Sequence, residues 1–195
     1  MQFQDVLHLR RSVRRYTNEP ISRGIIEKLI EDAAFAPSAR NQQPWRFWVI
    51  LGKQQIQAVS DRIHEWLRNE AKNHDALRTL REYLQDPSFE VLYGASALIL
   101  IGSESENAQD HEDCCLAAMS LLLSARNACL GTCWIGLSRP WFNLVSTKSE
   151  LGIPEKATIV APIIVGHPTN WPESPGRISP KIQWLSQEDK DAHKS

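Results

Sequence analysis

The amino-acid sequence predicts an α+β fold, in which a small mixed central sheet is flanked by helices on its faces. Segments 95–102 and 158–166 are continuously apolar, which is typical of strands buried on both faces. Segment 110–130 is rich in Leu and Ala nearly all round, which predicts a central helix. Helical and strand patterns follow one another without strict alternation. Because the composition of the 195 residues shows no break, we expect a single domain over 1–195, with 167–195 as an extended tail.

The first quarter of the chain is predicted to form two helices and a strand. Residues 5–10 form a short helix, and the next helix begins after Ser22, a suitable N-cap. The apolar stripe of this second helix has i, i+4 spacing and consists of Ile25, Ile26, Leu29, Ile30, Ala33 and Ala34. Pro37 ends the helix, because the residue before a proline avoids the helical region. Residues 46–51 then alternate into apolar positions, which predicts a strand.

The remaining elements are predicted from the same periodicities. In chain order they are a polar helix over 53–84, a strand over 95–102, the central helix over 110–130, a short strand over 132–137, a helix ending at 150–154 and a strand over 158–166. Gly131 fits the C′ position after the central helix, and Gly152 with Pro154 marks the end of the later helix. Four apolar anchors in the polar tail need a surface to bury on, along another subunit or along the same domain: Ile178, Ile182, Trp184 and Leu185.

Composition and charge narrow the functional classes. The formal net charge is -1, so no global field draws the protein to nucleic acid or to an anionic membrane. No apolar run is long enough to span a bilayer, and residues 1–5 lack signal-peptide character, so we expect a soluble, cytoplasmic protein. The four cysteines form no CxxC pair and are expected to be buried, reduced, small apolar side chains. His111 and Cys115 lie one helical turn apart but lack further ligands, so we expect no metal site.

Two segments near the N-terminus carry the most informative chemistry. Segment 10–15 (Arg-Arg-Ser-Val-Arg-Arg) clusters guanidinium groups and a hydroxyl, which suit a phosphate. Segment 37–45 (Pro-Ser-Ala-Arg-Asn-Gln-Gln-Pro-Trp) offers Ser38, Asn41 and Gln43 to the polar edge of a flat heterocycle. Taken alone, these segments also fit a solvated helix end and an ordinary loop. Together they suit a ligand with a phosphate at one end and a ring system at the other.

Two later segments add weaker signals. Gly131 and Gly136 flank a short strand, where they allow a close approach to a ligand or simply mark the ends of elements. Arg177 and Lys181 in the tail are either ligand-binding cations or solvated charges. The chain contains no GxGxxG, P-loop or HExxH motif.

In order and spacing these segments resemble the nitroreductase family of homodimeric flavoproteins, which bind FMN. The resemblance runs from about residue 3 to 181, over 10–14, 37–38, 41–45, 130–136, 165–168 and a basic residue in the tail. The family's tail arginine often stands in a Lys-x-Arg context, whereas this chain has Pro175-Gly176-Arg177. Either Arg177 or Lys181 therefore completes the phosphate site.

The resemblance implies a role for each matching residue. Arg10, Ser12 and Arg177 would hold the FMN phosphate, and Arg11 would bind phosphate or ribityl oxygens largely through its backbone. Arg14 would lie near the N1 and O2 edge of the isoalloxazine. The residues expected at the ring are Pro37, Ser38 and Asn41 from the partner subunit, Ile135 and Gly136 with a backbone N–H near flavin N5, and Trp134, which either packs beside the flavin or fills the core.

The same resemblance implies an enzyme with its active site at a homodimer interface. NADH or NADPH would reduce FMN by hydride transfer to N5, and a nitroaromatic, quinone-like or related small acceptor would then be reduced in the same cleft. No side chain need act as acid or base, while Arg14 would favour the reduced flavin. Segment 54–93 is expected to cover the cleft, with Trp66, Tyr83, Phe89 and Tyr93 either at the substrate or packed in the core or the dimer interface.

Three alternatives remain open from the sequence. The first is a flavin-binding sensor or storage protein without efficient turnover. The second is a specialised relative that performs dehalogenation or flavin fragmentation. The third is a small nucleic-acid binder that uses residues 10–15. The near-zero net charge argues against this third alternative.

Overall fold

The computed structural model describes residues 1–71, 81–86 and 88–185, which form seven helices and four strands. The helices are α1 (Phe3–Leu9), α2 (Arg23–Ala33), α3 (Lys53–Glu70), α4 (Arg81–Gln85), α5 (Ala108–Asn127), α6 (Arg139–Phe142) and α7 (Val145–Leu151). The strands are β1 (Trp45–Leu51), β2 (Ala97–Ser103), β3 (Gly131–Trp134) and β4 (Thr158–Gly166). Short 3-10 turns cover Ala39–Asn41 and Gly136–Ser138. The α+β prediction is confirmed.

The four strands form one antiparallel sheet in the order β1-β2-β4-β3. A parallel pairing occurs where Ser12, in the segment after α1, forms a single bridge with Thr132. Tyr16 forms an antiparallel bridge with Pro168, just after β4. The arginine-rich segment therefore runs along the β3 edge of the sheet, and the start of the tail lies beside it.

The core lies on both faces of the sheet. Ala97, Ile99 and Ile101 of β2 pack in a cluster with α2 and α5. Leu98 and Leu100 point to the opposite face, where the second cluster includes residues of α3 and α6. Every residue of β2 is buried, as the continuous apolar pattern predicts. The two clusters hold the sheet between helical layers. The segment around Ser12 therefore pairs with the edge of a sheet that is packed on both faces.

Local capping signals are confirmed at two helix ends. The Ser22 hydroxyl accepts the Ile25 N–H at 3.3 Å, which caps α2. Gly152 adopts the left-handed conformation (φ 66°) at the end of α7. The sequence predicts that Pro37 ends the second helix, but α2 ends earlier, at Ala33, and residues 34–36 form turns and a bend before the proline.

The prediction that Gly131 is the C′ residue of the central helix is wrong. Helix α5 ends at Asn127, Cys129 takes the left-handed conformation (φ 58°), and Gly131 is the first residue of β3. A Cβ on Gly131 would lie 2.8–2.9 Å from the side-chain atoms of Val13. The glycine therefore permits the N-terminal segment to approach the sheet closely.

The expected burial holds for Cys114 and Cys133, whereas Cys115 and Cys129 are exposed.

Two predicted boundaries also change. The strand predicted over 132–137 is shorter, because a 3-10 turn begins at Gly136. The helix predicted over 53–84 corresponds to α3 and α4, and its positions 72–80 lie outside the described residues. Among the residues that are described, none of the helices has the length and apolar composition needed to cross a bilayer.

The tail is attached to the domain at its start. The Thr169 N–H donates to the Arg15 carbonyl at 3.0 Å, and the Arg126 guanidinium lies 3.6 Å from the centre of the Trp171 ring. Beyond this point the four predicted anchors, Ile178, Ile182, Trp184 and Leu185, are all at least 68% exposed in the single chain. Residues 186–195 of the predicted tail lie outside the described part of the chain.

Candidate functional site

The arginine-rich segment is fixed to β3 through its backbone. The Val13 N–H donates to the Thr132 carbonyl at 2.9 Å, and the Val13 side chain is completely buried. Because side chains alternate along an extended segment, burial of Val13 turns Ser12 and Arg14 outward. Ser12 and Arg14 therefore expose their polar side chains from a backbone that is hydrogen-bonded to β3.

The tail completes a cationic cleft beside this segment. The cleft has a volume of about 380 Å³ and is lined by Arg10, Arg11, Ser12, Arg14, Pro172, Glu173, Pro175 and Arg177. No carboxylate in the described residues forms an ion pair with Arg10, Arg14 or Arg177. Their guanidinium groups are therefore available to an anionic ligand. Lys181 lies outside the lining of this cleft, so the cleft favours Arg177 as the tail cation.

Two neighbouring clefts extend the cationic one over the domain. One, of about 230 Å³, is lined by Arg10, Ser12, Met119, Leu122, Thr132, Cys133 and Trp134. The other, of about 460 Å³, is lined by Leu7, His8, Arg10, Met119, Ser174, Gly176 and Arg177. Arg10 borders all three clefts, so a ligand bound at its guanidinium has charged groups on one side and apolar side chains on another.

Arg11 has a different environment from its neighbours. Its Nη1 donates to the carbonyls of His8 and Arg10, both at 2.7 Å, at the C-terminal end of α1. A cation at this position is favourable, because it satisfies free carbonyls and the negative end of the helix dipole. The Nε of Arg11 is buried without a partner in the described residues. The Arg11 side chain is therefore engaged at the helix end through Nη1.

Two weakly acidic side chains close to the arginine-rich segment, the Cys133 thiol and the Tyr16 phenol, are held in their neutral forms. Burial raises the pKa of the Cys133 thiol, although the charge of Arg14 partly opposes this shift. Burial likewise raises the pKa of Tyr16 well above its ordinary value, and the Tyr16 hydroxyl donates to the Val13 carbonyl at 2.7 Å. Neither group is suited to proton transfer or nucleophilic attack near neutral pH.

The turn after β3 provides a free backbone donor. The Ile135 N–H is already bonded to the Pro162 carbonyl at 2.8 Å, and the Ile135 side chain is buried in the core. The Gly136 N–H begins the 3-10 turn and has no partner among the residues described. A Cβ on Gly136 would meet no atom within 4 Å. Of the two predicted residues, Gly136 therefore has both an available N–H and open space above it.

The segment at 37–44 forms a tight surface loop, whereas Trp45 begins β1 and is buried in the core. Ser38 Oγ accepts the Gln43 N–H at 3.0 Å, and Asn41 Oδ1 accepts from Gln43 Nε2 at 3.0 Å. Pro37, Ser38 and Asn41 line none of the three clefts described above. A single chain therefore brings together Arg10, Ser12, Arg14 and Arg177, places Trp134 beside Arg10 and Ser12, and leaves the loop apart.

Part of the cleft lining carries no signal in the sequence. Met119 and Leu122 of α5 border the clefts, yet within an almost uniformly apolar helix nothing distinguishes them from core residues. The contact between Arg126 and Trp171 is likewise absent from the sequence-based predictions, because it joins residues 45 positions apart and has no local pattern.

The α+β fold gathers guanidinium groups from both ends of the chain around one cleft, which is the donor set of the class of proteins that bind an anionic organic ligand. Comparison with known proteins makes this class specific. The model of the nitroreductase family matches residues 7–167, and the chain belongs to this family.

Individual relatives agree with this assignment. An Archaeoglobus fulgidus protein provisionally named NADH dehydrogenase/NAD(P)H nitroreductase is 27% identical over 163 residues, which cover 84% of this chain and 83% of the relative. The fold is similar to that of an FMN-dependent nitroreductase from Clostridium difficile R20291, with a TM-score of 0.78, 21% identity and coverage of 94% and 99%. It is also similar to iodotyrosine deiodinase bound to FMN and 3-iodo-L-tyrosine, with a TM-score of 0.75, 22% identity and coverage of 95% and 100%.

Proposed function

We propose that the protein is an FMN-dependent oxidoreductase that uses NADH or NADPH to reduce nitroaromatic, quinone-like or related small acceptors. The observation that carries this proposal is the convergence of Arg10, Ser12 and Arg177 on one cleft. Guanidinium groups and a hydroxyl are a strong donor set for a terminal phosphate. Membership in the nitroreductase family and the name of the Archaeoglobus relative support the same reaction class.

The residues present fit FMN at both of its ends. Arg10, Ser12 and Arg177 would bind the phosphate, with Arg11 contributing its backbone. Arg14 would place a positive charge at the N1 and O2 edge of the ring, and Gly136 offers an N–H without a partner in the described residues, in open space where a ring can approach. When bound, FMN supplies the redox chemistry by accepting and donating a hydride at N5. The protein's part is to orient the ring and to stabilise negative charge through Arg14.

We propose that the active site is completed by a second copy of the chain. Several large apolar side chains on α1, α5 and the α2 turn are exposed in the single chain: Phe3, Leu7, Phe35, Leu116 and Met119. Exposed large apolar side chains of this kind are candidates for burial against another protein chain. The four tail anchors would bury against the partner subunit. In such a homodimer the 37–41 loop of one chain would approach the flavin that is held by Arg10 of the other.

The acceptor site is proposed to lie under the segment around α4. Phe89 packs edge-on against Tyr93 with ring centres 6.3 Å apart, and Tyr83 is next to Phe89 at 6.2 Å. The Arg14 guanidinium lies 5.9 Å from the Tyr93 ring centre. This row of aromatic rings leads away from the residue assigned to the flavin edge. A flat acceptor stacking near the ring would meet its first member, Tyr93.

A second candidate function is reductive dehalogenation of an aromatic substrate. The likeness to iodotyrosine deiodinase favours it, since that structure contains FMN and 3-iodo-L-tyrosine. The discriminating assay measures halide release from 3-iodo-L-tyrosine and reduction of a nitroaromatic by the same reduced protein. Release of iodide without nitro-group reduction would replace the first function with the second.

The proposed function is tested on the purified full chain. We expect a yellow protein whose visible spectrum is that of bound FMN, with one FMN per subunit. NADH or NADPH should bleach this spectrum anaerobically, and a quinone should restore it. Material that ignores added FMN contradicts the proposal. A flavin that binds but is not bleached by either nucleotide indicates a sensor or storage protein.

A further inference from the structure

The loop proposed to approach the flavin is held in an unusual backbone conformation. Arg40, Asn41 and Gln43 have positive φ angles of 52°, 56° and 49°. Non-glycine residues adopt the left-handed region only at a cost, and they persist there where surrounding contacts over-determine the backbone. The loop lies on the surface, so the contacts that hold it must come from few neighbours.

One of these contacts comes from a buried carboxylate outside the loop. Asp113 of α5 is only 1% exposed, and its Oδ2 accepts the Ala39 N–H at 3.1 Å. Its Oδ1 accepts from the Gln109 side-chain amide at 3.4 Å. No cation among the described residues forms an ion pair with this carboxylate. A buried carboxylate without a cation is costly to the fold, so its position here points to a role other than ion pairing.

Asp113 contacts the loop at Ala39, where the 3-10 turn begins. Ala39 is the first residue of the 3-10 turn, whose first N–H groups have no partner within the turn itself. Ser38, immediately before it, accepts the Gln43 N–H through its side chain. Asn41, two residues later, is left-handed and is assigned to the flavin. A hydrogen bond that holds the Ala39 N–H in place therefore also restricts the backbone of Ser38 and Asn41, which carry the proposed ligand contacts.

We infer that Asp113 is a positioning residue, which holds the 38–43 loop in the conformation that binds flavin. This inference rests on the proposed function. Helix α5 contributes buried residues to the core, so Asp113 connects a surface loop with left-handed residues to a well-packed helix. Asp113 lines none of the three clefts, and it acts through the backbone of Ala39.

The test compares FMN binding by Asp113→Ala and Asp113→Asn. Asp113→Ala removes the acceptor, and we expect the FMN Kd to rise about tenfold, which corresponds to about 1.4 kcal/mol. Asp113→Asn keeps a side-chain oxygen for the Ala39 N–H, so it should restore the affinity to within about threefold of the wild type. The circular dichroism of bound flavin in the visible range should change in Asp113→Ala and recover in Asp113→Asn. A purely structural role would lower the melting temperature and leave this signal unchanged.

A matched control is available one turn earlier on the same helix. Asp110 is also buried, at 9% exposure, but it contacts Asn107 rather than the loop. Asp110→Ala should leave the FMN Kd within about twofold of the wild type. Equal losses in Asp110→Ala and Asp113→Ala, or wild-type binding by Asp113→Ala, would overturn the inference.

A second measurement requires no variant. In the wild type, the Ala39 amide should exchange slowly with solvent although it lies in a surface loop, because it donates to a buried carboxylate. Fast exchange of this amide contradicts the inference even if Asp113→Ala does not fold. A wild-type protein that takes up no FMN refutes the proposed function and this inference together. A wild type that binds FMN beside an unaffected Asp113→Ala refutes the inference alone.

Discussion

Replacement of Arg10 by alanine tests whether the cationic cleft recognises a phosphate. Arg10 caps the end of α1, where its N–H donates to the Val6 carbonyl at 3.1 Å, and its side chain borders all three clefts. Truncation therefore removes the guanidinium and leaves the backbone hydrogen bond intact. A hydrogen bond to a charged group contributes about 1.5–3 kcal/mol. The FMN Kd should accordingly rise roughly 10- to 150-fold.

The assay is a fluorescence titration of apoprotein with FMN and, separately, with riboflavin, which carries the same ring and lacks the phosphate. Riboflavin should bind Arg10→Ala and wild type with Kd values within about twofold, because the lost interaction is made only to the phosphate. Arg15→Ala is the matched control, since Arg15 is exposed and lines none of the three clefts. Equal weakening of FMN and riboflavin would refute the phosphate assignment. So would an Arg15→Ala variant that loses as much FMN affinity as Arg10→Ala.

Three further predictions address the flavin, the sheet and the pH response. Arg14→Ala should still bind FMN but should be reduced more slowly by NAD(P)H in stopped-flow measurements, because the charge near flavin N1 is lost; an unchanged rate contradicts this role. Gly131→Ala should lower the free energy of unfolding in urea by about 1–3 kcal/mol, because the added Cβ would overlap Val13. In the control Gly24→Ala, the added Cβ would meet no atom within 4 Å, so this substitution should be neutral or stabilising. The Ser124 hydroxyl donates to Asp32 at 2.6 Å and, with Lys28, holds the pKa of Asp32 below its ordinary value. The stability advantage of wild type over Ser124→Ala should therefore be present at neutral pH and disappear as the pH falls through the lowered pKa; an advantage that persists in acid contradicts it.

Those parts of the fold that rest on local signals could be predicted from the sequence. Strand β4 has the predicted bounds of 158–166, because its run of apolar residues is continuous and buried on both faces. Ser22 and Gly152 act as predicted, since capping depends only on a residue and its next few neighbours. Gly131 shows the limit of this reasoning. Its local position suits a helix end, but its role is set by Val13, which is 118 positions away in sequence.

The candidate site likewise contains residues that the sequence predicts and residues that only the structure reveals. The chemical types of Arg10, Ser12 and Arg177 are enough to suggest a phosphate, and one cleft contains all three. Asp113 gives no such signal, because an acidic residue near the start of a helix is ordinary. Its importance depends on its burial and on the distance to Ala39, which follow from how α5 packs against the loop. Such tertiary contacts cannot be read from periodicity.

The placement of the two ligand-binding segments also bears on how cofactor binding and assembly are coupled. The N-terminal segment proposed to bind the phosphate lies along the β3 edge, whereas the 38–43 loop follows α2 and is attached to α5. Under the proposed function each chain carries one half of two sites, and a complete flavin site needs a half from each chain. A ligand that binds only the assembled form must stabilise assembly by mass action. FMN should therefore lower the dimer dissociation constant, and the melting temperature should depend on protein concentration more strongly without FMN than with it.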